Sequence, residues 1–303
     1  MTNSGAAGPV AVLVNPSAGR GRHRQQLAAA LDELAAHGRD VQVLRPNGVE
    51  AALAAAHASV SDGVSALVAA GGDGTVNLGL QAVAGTGTGF GILPVGTGND
   101  FAVELGLPTD PMAAAIAISD ALDTGRRRRI DLARMVPADG PARWFGAVLG
   151  AGFDSIVNER ANRMRFPRGP RRYDIAIMVE LLRLRPRRYT IRLDGAEHEM
   201  DAVLVAVGNT ASYGGGMRIC PDADATDGLL DVVIAGRVGR GLLMRIKPKV
   251  YAGTHVQHPL VNTFRVTTVE IAAEGITAYV DGERSSPLPV TVTAVPGALS
   301  LLA

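Results

Sequence analysis

The chain has 303 residues, enough for one large domain or two ordinary ones with a substantial buried core. It is 47% hydrophobic and 19% charged, and its formal net charge of +1 gives no global attraction to nucleic acid, so none is expected as a partner. The single cysteine, Cys220, excludes an internal disulfide and suits a reducing compartment.

The first apolar run, at 10–14, reads as a strand and stops at Asn15-Pro16, too short for a signal peptide. No run of about 18 apolar residues follows anywhere, so no transmembrane segment and a cytoplasmic location are expected. Residues 23–36 have helical spacing and Gly38 ends them. Then come a strand at 41–44, an alanine-rich helix at 49–60 and a strand at 64–69. Gly71-Gly72-Asp73-Gly74-Thr75 leads into a helix over about 76–84. A strand at 90–93 passes through a glycine-rich turn into a helix at 99–105. Strand, short loop and helix in repetition predict a parallel sheet covered on both faces. Ligands of such sheets sit at the carboxyl ends of the strands.

After Asp131 the order changes. β-like runs fall at 144–149, 189–193, 202–207, 229–235, 266–272, 278–280 and 289–294, with helical patterns at 155–164, 174–184 and 242–251. Strands with few interleaved helices predict an antiparallel sandwich or barrel. We therefore expect an α/β nucleotide-binding domain over 1–129 and a β-rich domain over 130–295. A last run at 299–302 can return to the first domain, which would give 296–303 to it.

Three loops fall at carboxyl ends of the predicted parallel strands. Gly71-Gly72-Asp73-Gly74-Thr75-Val76-Asn77 combines glycines that let the backbone approach a ligand with a helix start whose N–H groups and dipole suit phosphate. Asp73 would repel a bare phosphate, so it argues for a bridging Mg²⁺ or a hydroxyl partner. Thr75 and Asn77 can donate to phosphate oxygens or cap the helix. Asn15-Pro16-Ser17-Ala18-Gly19-Arg20-Gly21-Arg22 offers backbone donors and two guanidiniums. Pro94-Val95-Gly96-Thr97-Gly98-Asn99-Asp100-Phe101 offers Thr97, Asn99 and a second carboxylate, Asp100. Each loop alone is open to the plainer reading of a tight turn. Three on one sheet edge point to a polyphosphate pocket, and the absence of G-x-x-x-x-G-K-[ST] excludes a P-loop.

In these motifs the chain resembles the soluble bacterial diacylglycerol kinases, of the lipid kinase superfamily that includes sphingosine and ceramide kinases. The resemblance rests on the Gly-Gly-Asp-Gly-Thr, Asn-Pro-x-x-Gly and Gly-Thr-Gly-Asn-Asp-Phe loops. It continues through Ile130-Asp131-Leu132, Gly152-Phe153-Asp154, Gly208-Asn209, the acidic stretch at 221–231, and Val280-Asp281-Gly282-Glu283. The text around 161–165 and the arginine bias (only Lys247 and Lys249 are lysines) are most similar to the actinobacterial branch.

The resemblance implies an N-terminal parallel-sheet domain of the NAD kinase and diacylglycerol kinase type, plus a C-terminal antiparallel β-sandwich with a few helices. It implies ATP against Asn15, Pro16, Ser17, Ala18, Gly19, Arg20, Gly71, Gly72, Asp73, Gly74, Thr75, Val76, Asn77, Thr97, Asn99 and Asp100. It implies Asp73 organising Mg²⁺ and phosphates, Glu283 as general base for a lipid hydroxyl, and a structural Mg²⁺ at Asp224, Asp227 and the Leu229 carbonyl. Arg20 and Asp224 depart from a relative that has lysine at both, which leaves a plain acidic turn open at Asp224.

The implied reaction is ATP-dependent phosphorylation of diacylglycerol or a related lipid to give phosphatidic acid, in a cleft that closes against water. Kinases of NAD or a sphingoid lipid, and a non-catalytic binding protein, are the competing readings. Against Glu283 as base stands Asp281-Gly282 as a simple hairpin turn. Lipid acceptors are membrane-borne, so transient contact with the inner membrane face is expected. Arg126–Arg129, the stretch at 163–172 and the helix at 242–251 are the candidate surfaces, with solvated charge as the alternative. The resemblance further implies a homodimer, which members of that family often form.

Overall fold

The computed structural model describes residues 8–15, 22–96, 98–164, 166 and 171–303. It divides into two compact units, Met1–Leu132 with Pro296–Ala303, and Ala133–Val295.

The first unit contains β1 (Val10–Val14), α1 (Arg22–Ala35), β2 (Val41–Leu44), α2 (Val49–Ser61), β3 (Ala66–Gly71), α3 (Asp73–Val83), β4 (Gly89–Pro94), α4 (Asp100–Glu104) and α5 (Pro111–Thr124). The strands lie in the order β2-β1-β3-β4, all parallel. Every residue of β1, β3 and β4 is buried, because helices cover both faces. On one face Val10, Val12, Val14, Ala66 and Val68 pack with Leu27 and Leu34 of α1 and Ile118 of α5. α2 and α3 cover the other. Gly79 admits this packing, since a Cβ there would meet the Phe90 ring at 2.6 Å. The chain end completes the sheet: Ser300 and Leu301 pair parallel with Gly89 and Phe90.

Sequence reading supplies no helix at 111–124, although its signals are present. Asp110 caps α5 by accepting from the Ala113 N–H at 3.0 Å, Pro111 opens it, and Gly125 closes it at φ 71°. Its alanine-rich text blurs the polar face that periodicity needs.

The remaining elements are β5 (Arg128–Pro137), β6 (Arg143–Phe145), β7 (Val148–Gly152), α6 (Phe153–Arg163), α7 (Arg171–Leu182), β8 (Arg187–Leu193), β9 (Ala196–Ala202), β10 (Leu204–Gly208), β11 (Leu230–Ala235), α8 (Arg240–Tyr251), β12 (Val261–Val266), β13 (Thr268–Ala272), β14 (Thr277–Val280), β15 (Glu283–Pro287) and β16 (Val290–Leu301). In the second unit β12-β11-β10-β7-β14-β15 form one antiparallel sheet. The start of β16, β13, β8 and β9 form another. Leu149, Val205, Val207 and Val232 of the first sheet pack on Tyr189, Ile191, Val269 and Val292 of the second, which makes a sandwich. The run expected at 144–149 is two strands, β6 and β7, and that at 266–272 is parts of β12 and β13, broken at Thr267. β9 and β15 are largely exposed strands of polar text, so no hydrophobic alternation marks them.

Candidate active site

The glycine loops of the first unit leave the carboxyl ends of β1, β3 and β4, which are neighbours in the sheet. Asn15 donates its N–H to Ala70 O at 3.2 Å, and Val95 donates to Gly71 O at 3.2 Å, so the three strand ends are tied at one level. Pro16, Ser17, Ala18, Gly19, Arg20 and Thr97 lie outside the described residues.

Glycine is required where the second and third loops meet. A Cβ on Gly96 would stand 2.4 Å from Gly72 Cα and 2.8 Å from Gly72 N, backbone against backbone. Gly71 is constrained equally, since its Cβ would fall 2.1 Å from the buried Thr75 Oγ1. Asp73, Gly74, Thr75, Val76 and Asn77 form the first turns of α3, with Asp73 at its start. Asp73 Oδ1 accepts the Phe101 N–H at 3.2 Å, tying the second loop to the start of α4. A Cβ on Gly98 would stand 2.9 Å from Asp73 Oδ2. Asn99 is left-handed at φ 59° and donates Nδ2 to Gly96 O at 3.1 Å. Its Oδ1 is buried with no hydrogen-bond partner among the described residues. Asp100 follows at the start of α4. Such a backbone cradle, with one buried acceptor awaiting a donor, suits a polyphosphate with a hydroxyl or water attached.

In the second unit Asp281 and Gly282 join β14 to β15 at φ 49° and 81°, the two-residue turn read as the plainer alternative. Asp281 does more than turn. Its carboxylate accepts the N–H groups of Gly146 at 3.2 Å, Ala147 at 2.9 Å and Val148 at 3.2 Å, which pins the hairpin tip to the loop before β7. Glu283 then opens β15 with an exposed side chain. Next to it, Arg284 Nε donates to Glu159 Oε2 at 2.9 Å, and the Tyr279 hydroxyl donates to the same oxygen at 3.0 Å. Burial pushes the Glu159 carboxyl up, but the hydrogen bonds from Arg284 and Tyr279 outweigh it and leave it below its ordinary value. Tyr279 is pushed up to about 12, by burial and then by its bond to Glu159. Glu159 thus anchors the strand that carries Glu283. The sequence held no local signal for this, because residues 159, 279 and 284 meet only in the fold.

Asp154, of the Gly152-Phe153-Asp154 motif, is a second feature without an assigned role in the sequence reading. Its Oδ2 accepts the Tyr213 hydroxyl at 2.9 Å, while Oδ1 is buried without a partner among the described residues. Burial raises its carboxyl above the ordinary range, with Tyr213 opposing. Gly150 leaves the space, since a Cβ would overlap Oδ2 at 2.0 Å.

The acidic turn before β11 is committed to its own neighbours. Asp224 Oδ1 accepts the Thr226 N–H at 3.0 Å and hydroxyl at 2.6 Å. Asp227 Oδ1 accepts the Leu229 N–H at 2.9 Å, and its Oδ2 pairs with Arg265. Among the described residues no three His, Cys, Asp or Glu side chains converge to hold a metal. The Asp224 and Asp227 carboxylates and the Leu229 carbonyl would be the donors to a Mg²⁺ on this turn, and no chemistry is routed through one. Three arginines of the Arg126–Arg129 run have partners within the first unit: Arg126 donates to Ala303 O, Arg127 to Ala121 O, and Arg128 to Leu105 O. No helix among the described residues is long and apolar enough to cross a membrane.

The chain thus combines a doubly covered parallel sheet, with glycine loops at its carboxyl edge, and an antiparallel sandwich, and comparison places it in a family. Residues 9–135 match the diacylglycerol kinase catalytic domain, and residues 147–303 match the YegS C-terminal NAD kinase beta sandwich-like domain. The chain is 44% identical over 297 residues to a diacylglycerol kinase of Mycobacterium tuberculosis, covering 97% of this chain and 95% of that one. It shares its fold with a diacylglycerol kinase from Bacillus anthracis, with a TM-score of 0.71, 22% identity and coverage of 97% and 96%. It also shares it with an NAD kinase from Archaeoglobus fulgidus solved in complex with ATP, with a TM-score of 0.56, 13% identity and coverage of 97% and 93%. The chain belongs to the diacylglycerol kinase family of lipid kinases.

Proposed function

We propose that the protein transfers the γ-phosphate of ATP to the hydroxyl of diacylglycerol, giving phosphatidic acid. The observation that carries this is the Gly72–Gly96 contact at the ends of β3 and β4, a bare-backbone cradle that side chains would fill. Family membership adds the lipid acceptor, and the mycobacterial relative bears the name diacylglycerol kinase.

The first unit grips the nucleotide. N–H groups at the start of α3 face the phosphates, with Arg20 supplying further positive charge in the first loop. Asp73, fixed by the Phe101 N–H, would hold Mg²⁺, which would supply charge neutralisation to the phosphate oxygens. The buried Asn99 Oδ1 would accept from a nucleotide hydroxyl. Glu283 in the second unit takes the proton of the acceptor hydroxyl as the phosphoryl group transfers. Its exposure leaves it in contact with solvent until the lipid arrives.

The test is labelled ATP with mixed micelles of diacylglycerol, monoacylglycerol, ceramide and sphingoid bases, with NAD assayed alongside. Label in phosphatidic acid is expected. Label in NAD alone, or tight ATP binding without any transfer, would defeat the proposal.

A further inference from the structure

α7 packs on α6 through Ala176 and Ile177 against Val157 and Ala161. It also buries Leu181 and Glu180, the latter paired with Arg160. A surface helix so arranged should be polar on its other face. Here that face carries Ile175, Met178 and Leu182, spaced by three and four so that they form one stripe, at 42%, 55% and 61% exposed. Phe166, shortly before the helix, is 84% exposed. Grouped apolar side chains on a surface mark a contact with something else.

The charge around the stripe says what. Beyond the helix end Arg183, Arg185 and Arg187 are all exposed, and none forms an ion pair with a described residue. Residues 175–188 hold four arginines and one acid, 4 − 1 = +3, whereas the whole chain is +1, so everything else sums to −2. We propose that this face docks on an anionic lipid bilayer, the stripe entering the headgroup boundary and the arginines lying on the headgroups. A second copy of the chain is the poorer occupant. A self-complementary contact would set this positive charge against itself, and a few side chains fall far short of the roughly 800 Å² per partner that a stable dimer buries. The inference rests on the lipid-kinase reading for its purpose, since an acceptor dissolved in a membrane must be reached there.

The test is sedimentation of the full chain with vesicles of phosphatidylcholine alone and of phosphatidylcholine mixed with phosphatidylglycerol. Binding is expected to the mixed vesicles only, and to weaken with salt. Arg183→Ala/Arg185→Ala/Arg187→Ala should bind about a hundredfold more weakly. Met178→Ser/Leu182→Ser should lose about tenfold or more. Both variants should melt like the wild type and turn over a micellar acceptor as it does. Equal binding to neutral vesicles, no binding, or unchanged binding by both variants overturns the proposal. So does a wild-type dimer that Met178→Ser/Leu182→Ser converts to monomer, because the stripe then belongs to a copy. Lipid phosphorylation without vesicle docking through this face removes the docking surface alone. Docking without lipid phosphorylation removes the proposed acceptor alone.

Discussion

Gly96→Ala adds one methyl group at the point where two glycine-rich loops touch. The new Cβ would lie 2.4 Å from Gly72 Cα, and ordinary van der Waals contact begins at 3.4 Å, so the loops must separate by 3.4 − 2.4 = 1.0 Å. The two nearest atoms belong to the Gly72 backbone and cannot rotate away, and the Asn99 Oδ1 would stand at 2.9 Å as well. Overpacking of this kind costs about 1–3 kcal/mol of stability. The larger effect is on function, since a shift of about 1 Å in positioning groups costs on the order of a hundredfold in rate. The assay is kcat and KM for ATP at saturating diacylglycerol, with a urea melt on the same samples. Gly87→Ala is the control: it meets nothing within 4 Å and its φ is not in the left-handed region. It should match the wild type in both measurements. If Gly96→Ala keeps kcat/KM for ATP within about twofold of wild type while folded, the two loops do not form a phosphate cradle and the reasoning fails.

Three further outcomes are expected. Glu283→Gln should lower kcat by about 10²–10⁴ and, because the side chain is exposed, move stability by less than about 0.5 kcal/mol; near-normal turnover removes it as the base. Asp281→Ala strands the N–H groups of Gly146, Ala147 and Val148 and should cost about 1.5–3 kcal/mol in chemical denaturation; a neutral effect would mean that the turn residues alone hold the tip. The Asp231 carboxyl is pushed up to about 6, mainly by burial with Arg265 opposing and Asp227 and Asp222 adding to it. The folded state therefore holds that proton more tightly than the unfolded one, and stability falls as pH rises from about 4 to about 6, staying lower above. Asp231→Asn should raise the Tm more at pH 7.5 than at pH 4, and the reverse order would contradict the assignment.

Much of the first unit was legible in the chain. Strand-loop-helix repetition and short-range glycine patterns are local properties, and a parallel sheet follows from them by few alternatives. The three loops share an edge because every parallel strand ends on the same side. By contrast, the sequence left α5 unread despite its caps, because alanine-rich text lacks the contrast that periodicity needs. It left β9 and β15 unread because exposed polar strands carry no alternation.

Local text also could not show which acidic residues bind their own protein. Asp281 reads as a turn residue and proves to accept three backbone N–H groups more than 130 residues away in sequence. Asp227 reads as a metal ligand by resemblance and pairs with Arg265. The Glu159 anchor joins residues more than 100 positions apart. Sequence alone determined the sheet, the glycine-rich loops at its edge and the family, since those depend on spacing within a few residues. Only the tertiary structure decided which carboxylates stay available and which are spent on the fold, because hydrogen bonds and burial between distant segments leave no trace in local pattern.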